Sequence, residues 1–189
     1  MKREYIHEVF SKIPTLETER LILRPLRMFD AFDMYAYSKL PETSAFLTWS
    51  PHSDIEYTKN YLAYVIGKYR LGEFYDWAVT LKAEEGKMIG TCGFSRIDFT
   101  NDIGEIGYVI SPDYQGNGYA TEAATEIINL GFNKLNFNRI EAKYIIGNGA
   151  SRAVMEKCGL KFEGISRSAM LIKGIYRDIG TCSVLKSEY

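Results

Sequence analysis

Tyr108-Val109-Ile110-Ser111-Pro112-Asp113-Tyr114-Gln115-Gly116-Asn117-Gly118-Tyr119-Ala120 holds the pattern on which the fold turns. An apolar run of strand type enters a short glycine loop, and the loop opens directly into a helix expected over residues 118–133. There Ala120, Ala123, Ala124, Ile127, Ile128 and Gly131 fall on one face, with Glu122, Thr125, Glu126 and Asn129 on the other. Gly116 and Gly118 permit positive φ and a close approach to the main chain. The unpaired N–H groups of a helix start converge at such a point, so an anion can be held with few basic side chains. Two familiar phosphate motifs are excluded. The dinucleotide fingerprint needs glycine at position 121, where Thr121 stands, and the P-loop needs lysine after Gly118, where Tyr119 stands. A plain tight turn is the other reading of the glycine pair.

Upstream, residues 16–26 read as a strand, 29–39 as a helix ended by Pro41, and 54–70 as a second helix with Ile55, Leu62, Val65 and Ile66 at helical spacing. Residues 75–82 and 87–97 read as strands joined at Glu84-Glu85-Gly86, and 103–110 as a third strand. Downstream come a strand over 139–146 and a helix over 149–157 closed by Gly159. Two last strands, over 161–172 and 175–185, follow. Hairpins and crossover helices are mixed, which predicts an α/β (α+β) sandwich on a mixed sheet rather than an all-parallel doubly wound fold.

The chain of 189 residues suits one domain spanning 1–189, and its 46 % apolar and 25 % charged residues are an ordinary globular balance. Twenty-three basic against 24 acidic residues leave a net charge of −1, which argues against a nucleic-acid partner. Cys92, Cys158 and Cys182 are widely spaced and only two histidines are present, so reduced, buried thiols and no metal site are expected. No apolar leader follows Met1, and no stretch reaches the ~20 apolar residues of a membrane span. The expectation is a cytoplasmic protein without a membrane partner; homodimer formation stays open.

Gln115-Gly116-Asn117-Gly118-Tyr119-Ala120 resembles the Q/R-x-x-G-x-G/A coenzyme A loop of the GNAT superfamily of N-acetyltransferases. Three further runs resemble its RimJ/RimL branch: residues 16–26 (LETERLILRPL), 104–108 (GEIGY) and 148–160 (NGASRAVMEKCGL). The resemblance covers nearly all of the chain from Leu16. It implies a largely antiparallel sheet of about seven strands, splayed at the centre, with helices on both faces. It also implies acetyl-CoA as acetyl donor, no metal, and an amine acceptor that is either a protein N-terminus or a small molecule. By the same resemblance, Tyr108, Val109 and Ile110 present a backbone edge to the pantetheine arm. Gln115, Gly116, Asn117, Gly118, Tyr119 and Ala120 hold the diphosphate, and Asn148 reaches the pantetheine.

Direct transfer to an amine makes three demands. The amine must lose a proton, the oxyanion needs N–H donors, and the thiolate must be stabilised as it leaves. Glu105, on one strand face with Ile103 and Val109, is the candidate base, directly or through water; an ion pair or a solvated face is the other reading. Many superfamily members carry a tyrosine acid where this chain has Met155, which has no proton to give. Ser151 is the nearest hydroxyl and the candidate acid, with helix capping as its alternative, as it is for Asn148. Cys158 is expected to be core and His52 a loop residue, while Trp49 and Phe46 are acceptor-side candidates. Retention of acetyl-CoA binding without turnover remains a third, non-enzymatic reading.

Overall fold

The computed structural model describes residues 2–189. One sheet runs through the molecule in the order β1-β2-β3-β4-β5-β6-β8-β7. Its strands are β1 (Leu16–Glu17), β2 (Leu21–Arg24), β3 (Asp76–Leu81), β4 (Met88–Asp98), β5 (Ile103–Ile110), β6 (Arg139–Ile145), β7 (Lys161–Ile172) and β8 (Ile175–Leu185). Every neighbouring pair is antiparallel except β5 and β6. The eighth strand comes from β1, two residues that form the outer end of the stretch read as a single strand from Leu16.

Among the described residues six α-helices flank the sheet: α1 (Lys2–Ser11), α2 (Ala31–Ser38), α3 (Pro41–Ser44), α4 (Ile55–Arg70), α5 (Tyr119–Asn133) and α6 (Gly149–Lys157). Asp54 caps α4, its side chain accepting the Tyr57 N–H at 2.7 Å. On one sheet face Trp77, Cys92, Phe94, Ile106 and Ile110 pack against Ile127 and Ile128 of α5 and against Ile6 and Phe10 of α1. On the other, Ala78 and Met88 meet Met34 and Tyr37 of α2 and Leu62, Val65 and Tyr69 of α4. The three cysteines are free and buried. No helix among the described residues is long and apolar enough to cross a membrane.

The structure adds two helices to those expected. Pro41 does not simply end a helix; it opens α3, because the first helical position needs no N–H donor and favours proline's fixed φ. Residues 2–11 carried no assignment, yet they form α1, whose Ile6 and Phe10, one turn apart, are fully buried.

The feature that positions the site is a split in the sheet. β5 and β6 pair from Ile103↔Arg139 to Ile106↔Ala142 and then part. β5 stays bonded to β4 as far as Ile110↔Gly90, while β6 stays bonded to β8 as far as Ile145↔Ile179. The inner edge of β5 from Gly107 onward therefore has no strand beside it, and its main-chain groups face a gap.

Candidate active site

The glycine loop closes the end of β5. Gly116 (φ 78°) and Gly118 (φ 82°) are both left-handed, the conformation that turns the chain back into α5. Glu122 N–H is the first to bond back into the helix, to Gly118 O at 3.0 Å, so the first-turn amides remain for a ligand. The loop side chains shape the main chain. Gln115 Nε2 donates to Ile110 O at 2.9 Å, and Asn117 Nδ2 donates to Tyr114 O and Gln115 O, each at 3.2 Å. These geometries fit a diphosphate held by backbone and helix dipole.

A brace behind the loop was not visible from the glycines alone. Arg20 donates from Nη1 to Asn117 O at 3.0 Å and from Nε to Glu122 Oε2 at 2.7 Å, and its guanidinium stacks 4.6 Å from the Tyr119 ring centre. Glu122 Oε1 also accepts from Thr18 Oγ1 and from the Arg20 N–H. Burial works against the Glu122 charge, but these donors outweigh it and hold the carboxyl below its ordinary range. Thr18 and Arg20 of the opening motif thereby tie the first strand pair to the first turn of α5.

The gap itself is a cleft of about 930 Å³ that runs from the loop past Tyr108, Asn148 and Ser151 to Lys143. Asn148 caps α6: its Oδ1 accepts the Ser151 N–H at 3.1 Å. Ser151 Oγ lies 3.0 Å from Tyr108 Oη, which also donates to Ser151 O at 2.8 Å. Burial raises the Tyr108 phenol, so it stays protonated. The family resemblance gives Tyr108 a role through its backbone alone, yet its side chain puts a hydroxyl beside Ser151 while Met155 is buried in the core. Glu105 also lines the cleft, and of the readings open to it the structure supplies the ion pair. Lys143 Nζ lies 2.5 Å from its Oε2, Ser95 Oγ donates to its Oε1 at 3.2 Å, and Lys143 reaches Glu141 at 3.3 Å. Burial pulls the Lys143 pKa down, but the two carboxylates outweigh it and leave it raised.

On the α2–α4 side lies a second chamber of about 400 Å³, which shares Leu47, Ser95, Gly107, Tyr108 and Val109 with the cleft. Trp49, His52, Tyr57, Tyr61, Phe74 and Tyr75 give it aromatic walls. His52 lies in the loop before α4, as expected, and its ring lines the chamber. Its ring lies 4.9 Å from that of Tyr57 and 5.5 Å from that of Trp49, Nδ1 is 2.8 Å from Thr58 Oγ1, and burial lowers its pKa. Phe46 lines the larger cleft instead. At the chamber floor stands Asp76, which received no role from the sequence. Burial lifts its carboxyl to about 7 against the pull of hydrogen bonds from Thr91 and the Trp77 N–H. The only trace of it in the sequence is an acid opening an apolar strand.

The chain matches the family model described as an acetyltransferase (GNAT) domain over residues 20–161. It is 34 % identical over 175 residues to the uncharacterized N-acetyltransferase p20 of Bacillus licheniformis, a match that covers 93 % of this chain and 98 % of that one. Its fold resembles the crystal structure of a GNAT-family acetyltransferase from Bacillus anthracis. There the TM-score is 0.82 at 26 % identity, over 93 % of this chain and 100 % of the other. It also resembles the ribosomal-protein-S5-alanine acetyltransferase of Vibrio fischeri, with a TM-score of 0.79 at 25 % identity over 93 % and 98 % of the two chains.

Proposed function

The chain belongs to the GNAT acetyltransferase family, and on that footing we propose that it moves the acetyl group of acetyl-CoA directly to the α-amine of a protein or peptide N-terminus. The observation that carries this reading is the meeting of two cavities at the split between β5 and β6. A donor lying along β5 and an acceptor arriving from the aromatic chamber would converge on Gly107–Val109 from different sides. No protein nucleophile is needed for such a transfer, and Cys158 is buried, with its thiol raised by burial.

The roles divide along the cleft. Main-chain amides at Gly116, Gly118, Tyr119 and Ala120 take the diphosphate, with Gln115 and Asn117 holding the loop in shape. The free edge of Tyr108, Val109 and Ile110 takes the pantetheine arm, and an N–H on that edge stabilises the oxyanion. Tyr108 and Ser151 form the hydroxyl pair beside the leaving thiolate, positioned by Asn148. An α-amine, with a reference pKa near 7.7–8.0, sheds its proton far more readily than a lysine side chain near 10.4. A terminal acceptor therefore agrees with a site whose nearest cleft carboxylate, Glu105, is already paired with Lys143. The similarity to a ribosomal-protein acetyltransferase supports the same choice.

A small primary amine is the second reading, favoured by the modest size and aromatic enclosure of the chamber. Acetyl transfer from acetyl-CoA to short peptides differing in their first residue, to the same peptides with blocked N-termini, and to polyamines and amino sugars separates the two. Acetylation at the peptide α-amine, lost on blocking, is the expected result. Turnover confined to small amines would overturn the N-terminal assignment.

A further inference from the structure

Asp76 on β3 is paired with Gly93 on β4, and Gly93 with Gly107 on β5. Gly107 is the first residue of β5 beyond its last pair with β6, so this row crosses the sheet and ends at the split. At about 4.8 Å between strands, the row is two spacings wide. A Cβ added at Gly93 would clash with Tyr75 O and Asp76 Cα and lie 2.8 Å from Asp76 Oδ1, so only glycine lets β3 and its carboxylate lie this close to β4. A Cβ added at Gly107 would meet only Ser95 Cβ, at 3.7 Å. Neither glycine puts a side chain between the carboxylate and the gap, and the space at Gly107 is open.

The surroundings of Asp76 lack a counter-charge. The described residues lining the chamber include two carboxylates, Asp76 and Glu73, and neither lysine nor arginine. Glu73 is engaged by Lys68 at 2.6 Å. The titratable groups facing Asp76 are Tyr37 from α2 and Tyr61 and Tyr69 from α4; His52 from the loop before α4 lines the same chamber, and the Cys92 thiol of β4 lies on the opposite sheet face. Burial raises the three phenols and the thiol, and it lowers His52, so each is held toward its neutral form. Asp76 is nonetheless reachable, because its accessible side opens on the chamber. A buried carboxyl without a cation, walled by rings whose faces attract cations, is a receptor for an ammonium group.

We propose that Asp76 binds the primary ammonium of the acceptor in this chamber, with an apolar or aromatic first residue against the rings, and takes its proton before attack at the gap. The proposal rests on the acetyl-transfer reading above. In the step, the ammonium gives one proton to the Asp76 carboxylate. The freed nitrogen pair forms the bond to the thioester carbonyl carbon, and the carbon–sulfur bond breaks. The second nitrogen proton passes to the departing thiolate, and Asp76 returns its proton to solvent. A carboxyl titrating near neutrality suits both halves of this cycle.

The test uses Asp76→Asn and Thr91→Val beside the wild-type protein, with acetyl-CoA binding as the check that each is folded. Three quantities are read: binding of L-phenylalaninamide by calorimetry without acetyl-CoA, titration of the Asp76 carboxyl by carbon-13 NMR, and kcat/KM against pH with the best amine acceptor. Asp76→Asn should bind acetyl-CoA normally, lose phenylalaninamide binding, and lose on the order of 100-fold in kcat/KM together with the ascending limb near pH 7. Thr91→Val removes a hydrogen bond that favours the charged carboxylate, so it should move the carboxyl titration and the limb to higher pH. Unchanged amine binding in Asp76→Asn, or an unchanged rate and pH profile, would overturn the proposal. If the wild type acetylates no amine, the transfer reading fails by itself, and the binding and titration arms still decide whether Asp76 receives an ammonium. If the Asn variant does not fold, the wild-type titration and Thr91→Val carry the decision, and a carboxyl titrating below pH 5 and indifferent to phenylalaninamide would refute the assignment.

Discussion

The glycine loop and the aromatic chamber sit on two sides of one gap and are built in opposite ways. The loop is local: thirteen consecutive residues from Tyr108 to Ala120 contain the strand end, the turn and the helix start. The binding groups proposed for it are main-chain amides that nearly any sequence could supply once two left-handed residues turn the chain. The chamber is assembled from distant pieces, with Tyr37, Trp49, Tyr61, Asp76, Gly93 and Gly107 arriving on different elements. Its binding groups are side chains, and its chemistry depends on what burial does to one of them. A donor common to a whole family can be met by backbone, whereas an acceptor that differs among relatives is met by side chains that can be exchanged.

The sharpest way to test this contrast is stability, because a loop made of backbone costs little and a buried carboxyl costs much. Asp76 is raised to about 7 from an ordinary 3.8. The unfolded chain therefore releases this proton first, and folding loses stability as pH rises from about 4 through 7. Asp76→Asn should be more stable than wild type at pH 8, by about 2 kcal/mol once the water admitted by the chamber is allowed for, and should show no gain at pH 4. Denaturant melts at the two pH values read this directly. Lower stability of the variant at pH 8 would remove the claim that the carboxyl is held at a cost.

The loop side should answer to its brace. Arg20→Ala removes the bond to Asn117 O, the pair with Glu122 and the stack on Tyr119. Part of this side chain is exposed, so the expected loss in acetyl-CoA affinity is modest, roughly 5- to 10-fold or about 1 kcal/mol. Titration calorimetry with acetyl-CoA checks it, and acceptor KM should stay unchanged. Loss of acceptor binding instead would mean that the two regions are coupled more tightly than their geometry indicates.

The smallest effect is expected at Glu105. Its carboxylate is engaged by Lys143 and Ser95, so Glu105→Gln should lower kcat/KM by less than about 10-fold and leave the ascending pH limb in place. If Glu105→Gln instead abolished that limb while Asp76→Asn kept it, the base would be Glu105.

The same contrast explains what could be read from the sequence. β5, α6, β7 and β8 were legible to the residue, because apolar periodicity and turn glycines are local signals. So was the alternation that sets Ile103, Glu105 and Val109 on one face. The row Asp76–Gly93–Gly107 was not legible, since it exists only once β3, β4 and β5 are in register, and one register shift would send Asp76 elsewhere. The partner of Glu105 was hidden for a similar reason: Lys143 comes alongside only through the parallel pairing of β5 with β6. Glu122 fell on the polar face of its helix, and nothing local distinguished a solvated carboxylate from one that fastens Arg20 and Thr18.

Acetyl-CoA binding to Gly118→Val and to Asp76→Asn, measured side by side by calorimetry, tests the division most directly. Gly118 holds φ at 82°, where a β-branched residue is strained, and the added side chain would meet the Arg20 guanidinium beside the proposed diphosphate site. Affinity should fall by roughly 100-fold or more in Gly118→Val and remain at the wild-type value in Asp76→Asn. Wild-type affinity in a folded Gly118→Val protein would contradict the assignment of the donor site to the loop.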